Sequence, residues 1–178
     1  NLKDQIVDDD PSEENVQPWI SHNGDLVIEN GETMTIENEK YLQEGNIYAN
    51  DHSKLIIKDS QLMMGRGDVP TIHVYIIIAP EALVEIEGSK IFPESGLVCV
   101  LNKGKVTITD SPTSIHYFDM SDGASLTMIN SQMVFTIGGL LQVMGGHTTV
   151  INSTIGALGI KVPAGAHLNV SNLASGTY

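Results

Sequence analysis

One short pattern recurs along the chain and limits what it can become. It reads apolar, x, apolar, x, then Asp, Asn or Gly, then Ser, x and a mostly apolar residue. KLIIKDSQL (54–62), LVEIEGSKI (83–91), KVTITDSPT (105–113), SLTMINSQM (125–133) and TTVINSTI (148–155) carry it, and TMTIEN (33–38) and HLNVSNL (167–173) are looser copies. With the turn residue as anchor, the series is Asn38, Asp59, Gly88, Asp110, Asn130, Asn152 and Asn172. The intervals are near-equal, except that the one from Asp59 to Gly88 is longer. A spacing of about twenty to thirty residues marks a repeat architecture, in which each unit needs its neighbours to cover its apolar face.

The alternation has period two, and its apolar residues are mainly Val, Ile, Leu and Met, so the units read as strands. Each unit holds three: SLTMI, QMVFTI and LLQVM in one, TTVI, TIGAL and GIKVP in the next. Gly138-Gly139, Gly145-Gly146 and Pro163-Ala164-Gly165 mark corners. Three short strands cannot cover themselves, but stacked copies can, each strand pairing in parallel with its counterpart ~4.8 Å away. The expected fold is all-β: a parallel β-helix, or β-solenoid, of about seven coils over residues 19–178, with three short strands per coil. The anchors explain themselves in such a coil. Asn and Asp tolerate the left-handed backbone that a two-residue corner needs, and Gly adopts it freely. Stacked Asn side chains, Asn130 and Asn152 above all, are expected to form a buried or half-buried ladder. The Ser beside each anchor can satisfy local backbone groups.

Residues 1–18 stand apart. They are acidic, carry two prolines and lack apolar periodicity, which predicts an extended arm. Because the chain begins at Asn1, a processed or truncated form is expected. The net charge of −13 argues against nucleic acid and anionic membrane surfaces as partners. It is unevenly spread: residues 1–59 hold 14 acids and 4 lysines, whereas residues 120–178 hold one acid, Asp122, and one base, Lys161. No run approaches the ~18 apolar residues of a membrane span. The single cysteine, Cys99, excludes an intrachain disulfide and sits in the apolar run LVCVL, where a buried, inert thiol is expected.

The repeated GASLTMINSQM-type unit resembles the right-handed, single-stranded parallel β-helix repeats of the pectin-lyase-like superfamily and of many secreted or surface-displayed microbial proteins. The resemblance covers about residues 24–178. It implies a right-handed coil and an extracellular or cell-surface location, but no single activity, because the fold hosts lyases, hydrolases, adhesins and structural proteins. By resemblance, the lyases use acid-bound calcium with an Arg or Lys base, and the hydrolases use clustered aspartates with a nearby His.

Neither set is complete in the sequence. Asp59 and Asp110 occupy corners two coils apart, and Asp119 with Asp122 makes at most a weak cation site. Arg66, the only arginine, lies in the insertion 62–72 that lengthens the coil between Asp59 and Gly88; it also opens an Arg-Gly-Asp tripeptide ending at Asp68. His147 and His167 stand at the same offset before the anchors Asn152 and Asn172, so they should stack, but no third ligand shares that offset. Asn152 and Asn169 head glycosylation sequons; Asn152 belongs to the corner, while Asn169 should face outward and could carry glycan. Tyr75, Tyr117, Phe118 and Phe135 lie within the repeat body, with no coil-by-coil aromatic stripe evident.

These residues lead to a non-catalytic structural or surface protein, without cofactor or metal, as the first expectation. The C-terminal stretch VPAGAHLNVSNLASGTY keeps the repeat pattern without a cap. An uncovered solenoid end templates further strands. Self-assembly is therefore expected, with filaments as one form, and with Leu168, Val170 and Tyr178 meeting either the first coil near Trp19 or the arm segment QIV (5–7) of another copy. The alternative is a carbohydrate-binding or polysaccharide-degrading, lyase-like module. A third idea is an adhesin read through the loop around Arg66.

Overall fold

The computed structural model describes residues 17–66, 72–156, 160–161 and 167–171. Among them there is no helix, and the strand pairings are parallel. The chain is a parallel β-solenoid whose coil lays strands on three faces. The first face is a seven-stranded sheet built from Thr33–Glu37, Lys54–Lys58, Leu83–Glu87, Lys105–Thr109, Ser125–Ile129, His147–Ile151 and His167–Ser171. Its leading residues pair in register from Thr33 through Lys54, Leu83, Lys105, Ser125 and His147 to His167, keeping step with the anchors throughout. The proposed N-terminal arm lies almost wholly outside the described residues; of it, Gln17 Nε2 donates to the Asn38 carbonyl at 2.7 Å.

The second face begins with Trp19–Asn23, Lys40–Glu44, Gln61–Gly65 and Lys90–Pro93, and the third with Leu26–Ile28, Ile47–Ala49, His73–Ile78 and Leu97–Asn102. The two faces form one twelve-stranded sheet because the strands Pro112–Met120 and Gln132–Val143 run through both. Here three separate strands per coil give way to two, and Gly138-Gly139 lies within a strand instead of breaking it. The reason is a bulge. Ile115 pairs with Phe135 and Tyr117 with Leu140, so residues 136–139 oppose His116 alone. Such an insertion bends a strand round a corner without ending it. Gly138 takes a positive φ of 80°, and a Cβ on Gly139 would overlap the His116 carbonyl oxygen.

Alternation drives the packing. Leu55 and Ile57, Val84 and Ile86, Val106 and Ile108, and Leu126 and Met128 point inward from successive coils and are buried, as are Val100 and Phe118 from the third face. They join one core along the rod. The six described anchors, Asn38, Asp59, Gly88, Asp110, Asn130 and Asn152, all take φ between 48° and 56°, the left-handed region.

The corner holds together differently from expectation. Among the described anchors, the side-chain ladder reduces to Asn152 Nδ2 donating to Asn130 Oδ1 at 2.8 Å, and the pair is exposed rather than buried. Gly88 has no side chain, and ionised Asp59 and Asp110 have no proton to donate. The buried ladder belongs to the serines one residue on. Ser60, Ser89, Ser111 and Ser131 each donate a backbone N–H to the Oγ of the next coil's serine, at 3.0, 3.0, 3.2 and 2.9 Å. Each hydroxyl in turn donates to the carbonyl two residues before it, as Ser111 does to Thr109 at 2.6 Å. Both backbone groups at a tight, buried corner are thereby satisfied.

Candidate functional site on the third face

Inward residues of the third face are set by the core, so their neighbours must face out. Val74, Ile76, Val98, Val100 and Phe118 are buried. The register then aligns Tyr75, Cys99, Tyr117 and Leu140 in one outward row. A second row runs through Val27, Tyr48, Ile77, Leu101, Asp119 and Gln142. Asn46 ties the rows together: its Oδ1 accepts the Tyr75 N–H at 3.0 Å, and its Nδ2 lies 3.2 Å from the Tyr48 hydroxyl. Tyr117 donates its hydroxyl to Gln142 Oε1 at 2.8 Å. Its phenol is raised above its usual pKa, first by burial and then by the Asp119 carboxylate and the Cys99 thiol. Asp119 Oδ1 is closed off from solvent without a hydrogen-bond partner.

Cys99 is buried, but not in the core. It faces outward, and its register neighbours are Tyr75 and Tyr117. Only 2% of its surface is exposed, and burial pushes the thiol up to about 11. Its reactive thiolate is thus scarce below that pH, about one part in a thousand at pH 8. The expected result is negligible alkylation of the native protein at pH 8 and one equivalent after denaturation, counted by mass. Rapid native labelling at pH 8 would contradict the burial.

The corner between the second and third faces adds polar chemistry. The His73 ring lies 5.8 Å from that of His116 and 6.2 Å from that of Tyr75. His116 Nδ1 shares a hydrogen bond with Thr136 Oγ1 at 2.9 Å, which holds the bulge against the imidazole. Arg66 Nη2 stands 3.6 Å from Asp25 Oδ1 at the edge of the inserted loop. Gly67 and Asp68 of the Arg-Gly-Asp tripeptide lie outside the described residues.

The other candidates scatter. Asp59 and Asp110 are exposed corner residues, and Asp122 occupies an exposed turn beyond Asp119. Among the described residues no three His, Cys, Asp or Glu side chains gather where they could hold a metal ion. His147 and His167 do stack, with ring centroids 5.3 Å apart, on the outside of the first sheet. Asn169 is exposed beside them, Asn152 is exposed at its corner, and Leu168 packs against the core. Val170 pairs with Val150 in the last strand, while Asn172 and Tyr178 lie outside the described residues. Trp19 reaches along the second face to Phe92, 6.2 Å away between ring centroids, and Lys90 Nζ sits 4.8 Å from the Phe92 ring.

Aromatic alignment is therefore greater than the sequence suggested. The missed signal was arithmetic: the two successive anchor steps from Gly88 through Asp110 to Asn130 carry Tyr75 onto Tyr117. The meeting of His73 with His116 had no such signal, because the bulge at His116 lies outside the repeat pattern. No protein-family model matches this chain, and neither a curated protein nor a solved structure matches it.

Proposed function

We propose that the protein is a non-catalytic, glycan-binding solenoid whose third face is the binding surface. The observation that carries this is the outward row holding Tyr75 and Tyr117, two coils apart, with Tyr48 in the neighbouring row. Two coils span ~9.6 Å, about the length of a disaccharide unit. Tyrosine offers a broad apolar face with a polar tip, which suits the apolar faces and hydroxyl rims of sugar rings. Asn46, Asp119 and Gln142 add hydrogen-bonding groups beside the rings. Binding rather than hydrolysis is supported by the carboxylates: glycoside hydrolysis takes a facing pair, and among the described residues Asp119 has no second acid in its row. The resemblance of the repeats to pectin-lyase-like β-helices supports the same reading by fold analogy, and with it a location outside the cell or on its surface.

The test is a binding titration against cello-, manno- and xylo-oligosaccharides and amino-sugar oligomers. Tyr75→Ala and Tyr117→Ala should each weaken binding about tenfold, the scale of losing one well-packed aromatic contact. Reducing or unsaturated sugar should not accumulate. Failure to bind any of these oligomers, or unchanged affinity in both variants, overturns the reading.

A second reading, head-to-tail assembly, is favoured by Ile20. Its partner in register, Tyr41, is buried in the core, yet Ile20 is 45% exposed among the described residues. A covering strand from another copy would bury it. Light scattering should then show concentration-dependent growth that Ile20→Lys abolishes; a monomer at high concentration rules the assembly out.

A further inference from the structure

Asp119 is the one acid in the row of Tyr48, Ile77 and Leu101; in the Tyr75 row, Asp25 lies beyond Asn46 and is paired with Arg66. The register neighbours of Asp119 are Leu101 and Gln142, neither of which carries charge. One carboxylate oxygen is closed off from solvent without a donor, and no ion pair reaches Asp119 among the described residues. Removing part of a carboxylate's hydration without supplying a donor costs free energy. A cation beside a carboxylate that has no ion-pair partner gains a Coulomb attraction that a neutral ligand does not. Gln142 cannot supply the charge, and its Oε1 is engaged by Tyr117. The phenol of Tyr117, two residues before Asp119 on the same strand, is raised first by burial and then by the Asp119 carboxylate.

The net charge of −13 is carried by residues 1–119, since residues 120–178 hold one acid and one base, so it acts on a polycation as a general attraction and not at one seat. Of the nine cationic side chains, Lys54 and Lys58 are paired across the first sheet with Glu85 and Glu37, and Arg66 is paired with Asp25. On the third face itself, Lys161 pairs in register with Gln142 and so continues the row two coils beyond Asp119, and exposed Lys103 follows the strand that ends at Asn102.

We propose that this face selects glycans bearing free amines, with the protonated amine of an amino sugar seated on the Asp119 carboxylate and the sugar rings on Tyr75 and Tyr117. The inference rests on the glycan-binding reading and specifies its ligand. An ammonium is compact, carries three donors and suits a carboxylate flanked by an amide. An N-acetylated sugar keeps the same ring but presents a neutral amide, so it retains the stacking and loses the ion pair.

The experiment compares a glucosamine hexasaccharide with its N-acetylated counterpart by calorimetric titration in 150 mM salt (roughly physiological screening). The amine form should bind at least about tenfold tighter, the scale of one charge-assisted contact. Asp119→Asn should bring the two affinities together, while Asp110→Asn, at an exposed corner after the first-sheet strand Lys105–Thr109, should leave the ratio unchanged. On the unaltered protein the preference should fade as pH rises through the titration of the sugar amine, a readout that does not depend on any variant folding. Equal binding of both hexasaccharides overturns the amine selection and leaves the glycan reading standing. A preference that survives in Asp119→Asn, or falls equally in Asp110→Asn, reduces it to general attraction of a polycation and overturns the site. Binding of neither hexasaccharide overturns the proposal too, and the glycan reading falls with it if the neutral oligosaccharides also fail to bind.

Discussion

Phe118→Ala should lower the stability of the solenoid by about 3–5 kcal/mol, the usual cost of deleting a buried aromatic ring. Phe118 is 2% exposed and points inward from the strand that rounds the corner between the second and third faces. Its register neighbours, Val100 and Leu141, are themselves buried, so no flexible surface side chain can fold into the space. The core already holds a cavity of about 20 Å³ lined by Phe118, Ile115, Val100 and Met133, among others. Deleting the ring enlarges an existing void, and cavity growth is what makes such substitutions costly. Phe118→Leu keeps most of the volume and should cost less than half as much. Urea unfolding, followed by loss of the strand signal, measures both. A Phe118→Ala protein within about 1 kcal/mol of the unaltered one would mean that the core closes over the gap.

Ser111→Ala should cost about 1–3 kcal/mol, more than Asn130→Ala at the neighbouring anchor. Ser111 is 1% exposed and sits mid-ladder. Its Oγ accepts the Ser89 N–H at 3.0 Å and donates to the Thr109 carbonyl at 2.6 Å. Alanine leaves that buried N–H without an acceptor, and water has little access to replace the hydroxyl. Asn130 differs because its bond to Asn152 lies in solvent, where water substitutes for the lost partner. What Asn130→Ala loses is tolerance of φ near 49°, worth about 1 kcal/mol. Asn130→Gly should therefore be nearly neutral, whereas Ser111→Gly should not. If Asn130→Ala proved as damaging as Ser111→Ala, the corner would depend on the asparagines after all.

The contrast between these corners shows how the sequence was legible and where it stopped. Each first-face strand and its anchor are encoded in one short run of consecutive residues, and stacking copies that local pattern from coil to coil. Alternation fixes which side faces the core, since a one-residue slip would turn Leu126 and Met128 out to water. Reading the anchors was therefore enough to place seven strands in register, down to the pairing of His147 with His167. The anchor residue type followed from backbone sterics alone, which act locally.

The third face obeys no such local rule. Its row steps from Ile77 to Leu101 to Asp119 to Gln142, while the first sheet steps from Leu83 to Lys105 to Ser125 to His147. The third-face steps run longer, then shorter, then longer than their first-sheet counterparts. Corners of unequal length absorb the difference, and the bulge opposite His116 is the clearest of them. Counting from Tyr75 by the anchor step thus reaches Leu97 instead of Cys99, then returns to Tyr117 because the two deviations cancel. The core punishes errors in the inward residues but leaves outward ones free, so no periodic signal marks them. The sequence by itself determined the solenoid, the strand register of its first face and the left-handed corners, because these rest on nearest-neighbour chemistry repeated coil by coil. Only the tertiary structure decided that serines and not asparagines form the buried ladder, that Cys99 lies between two tyrosines, and that Asp119 faces outward unpaired, because each depends on how corners of different length bring residues from separate coils onto one surface.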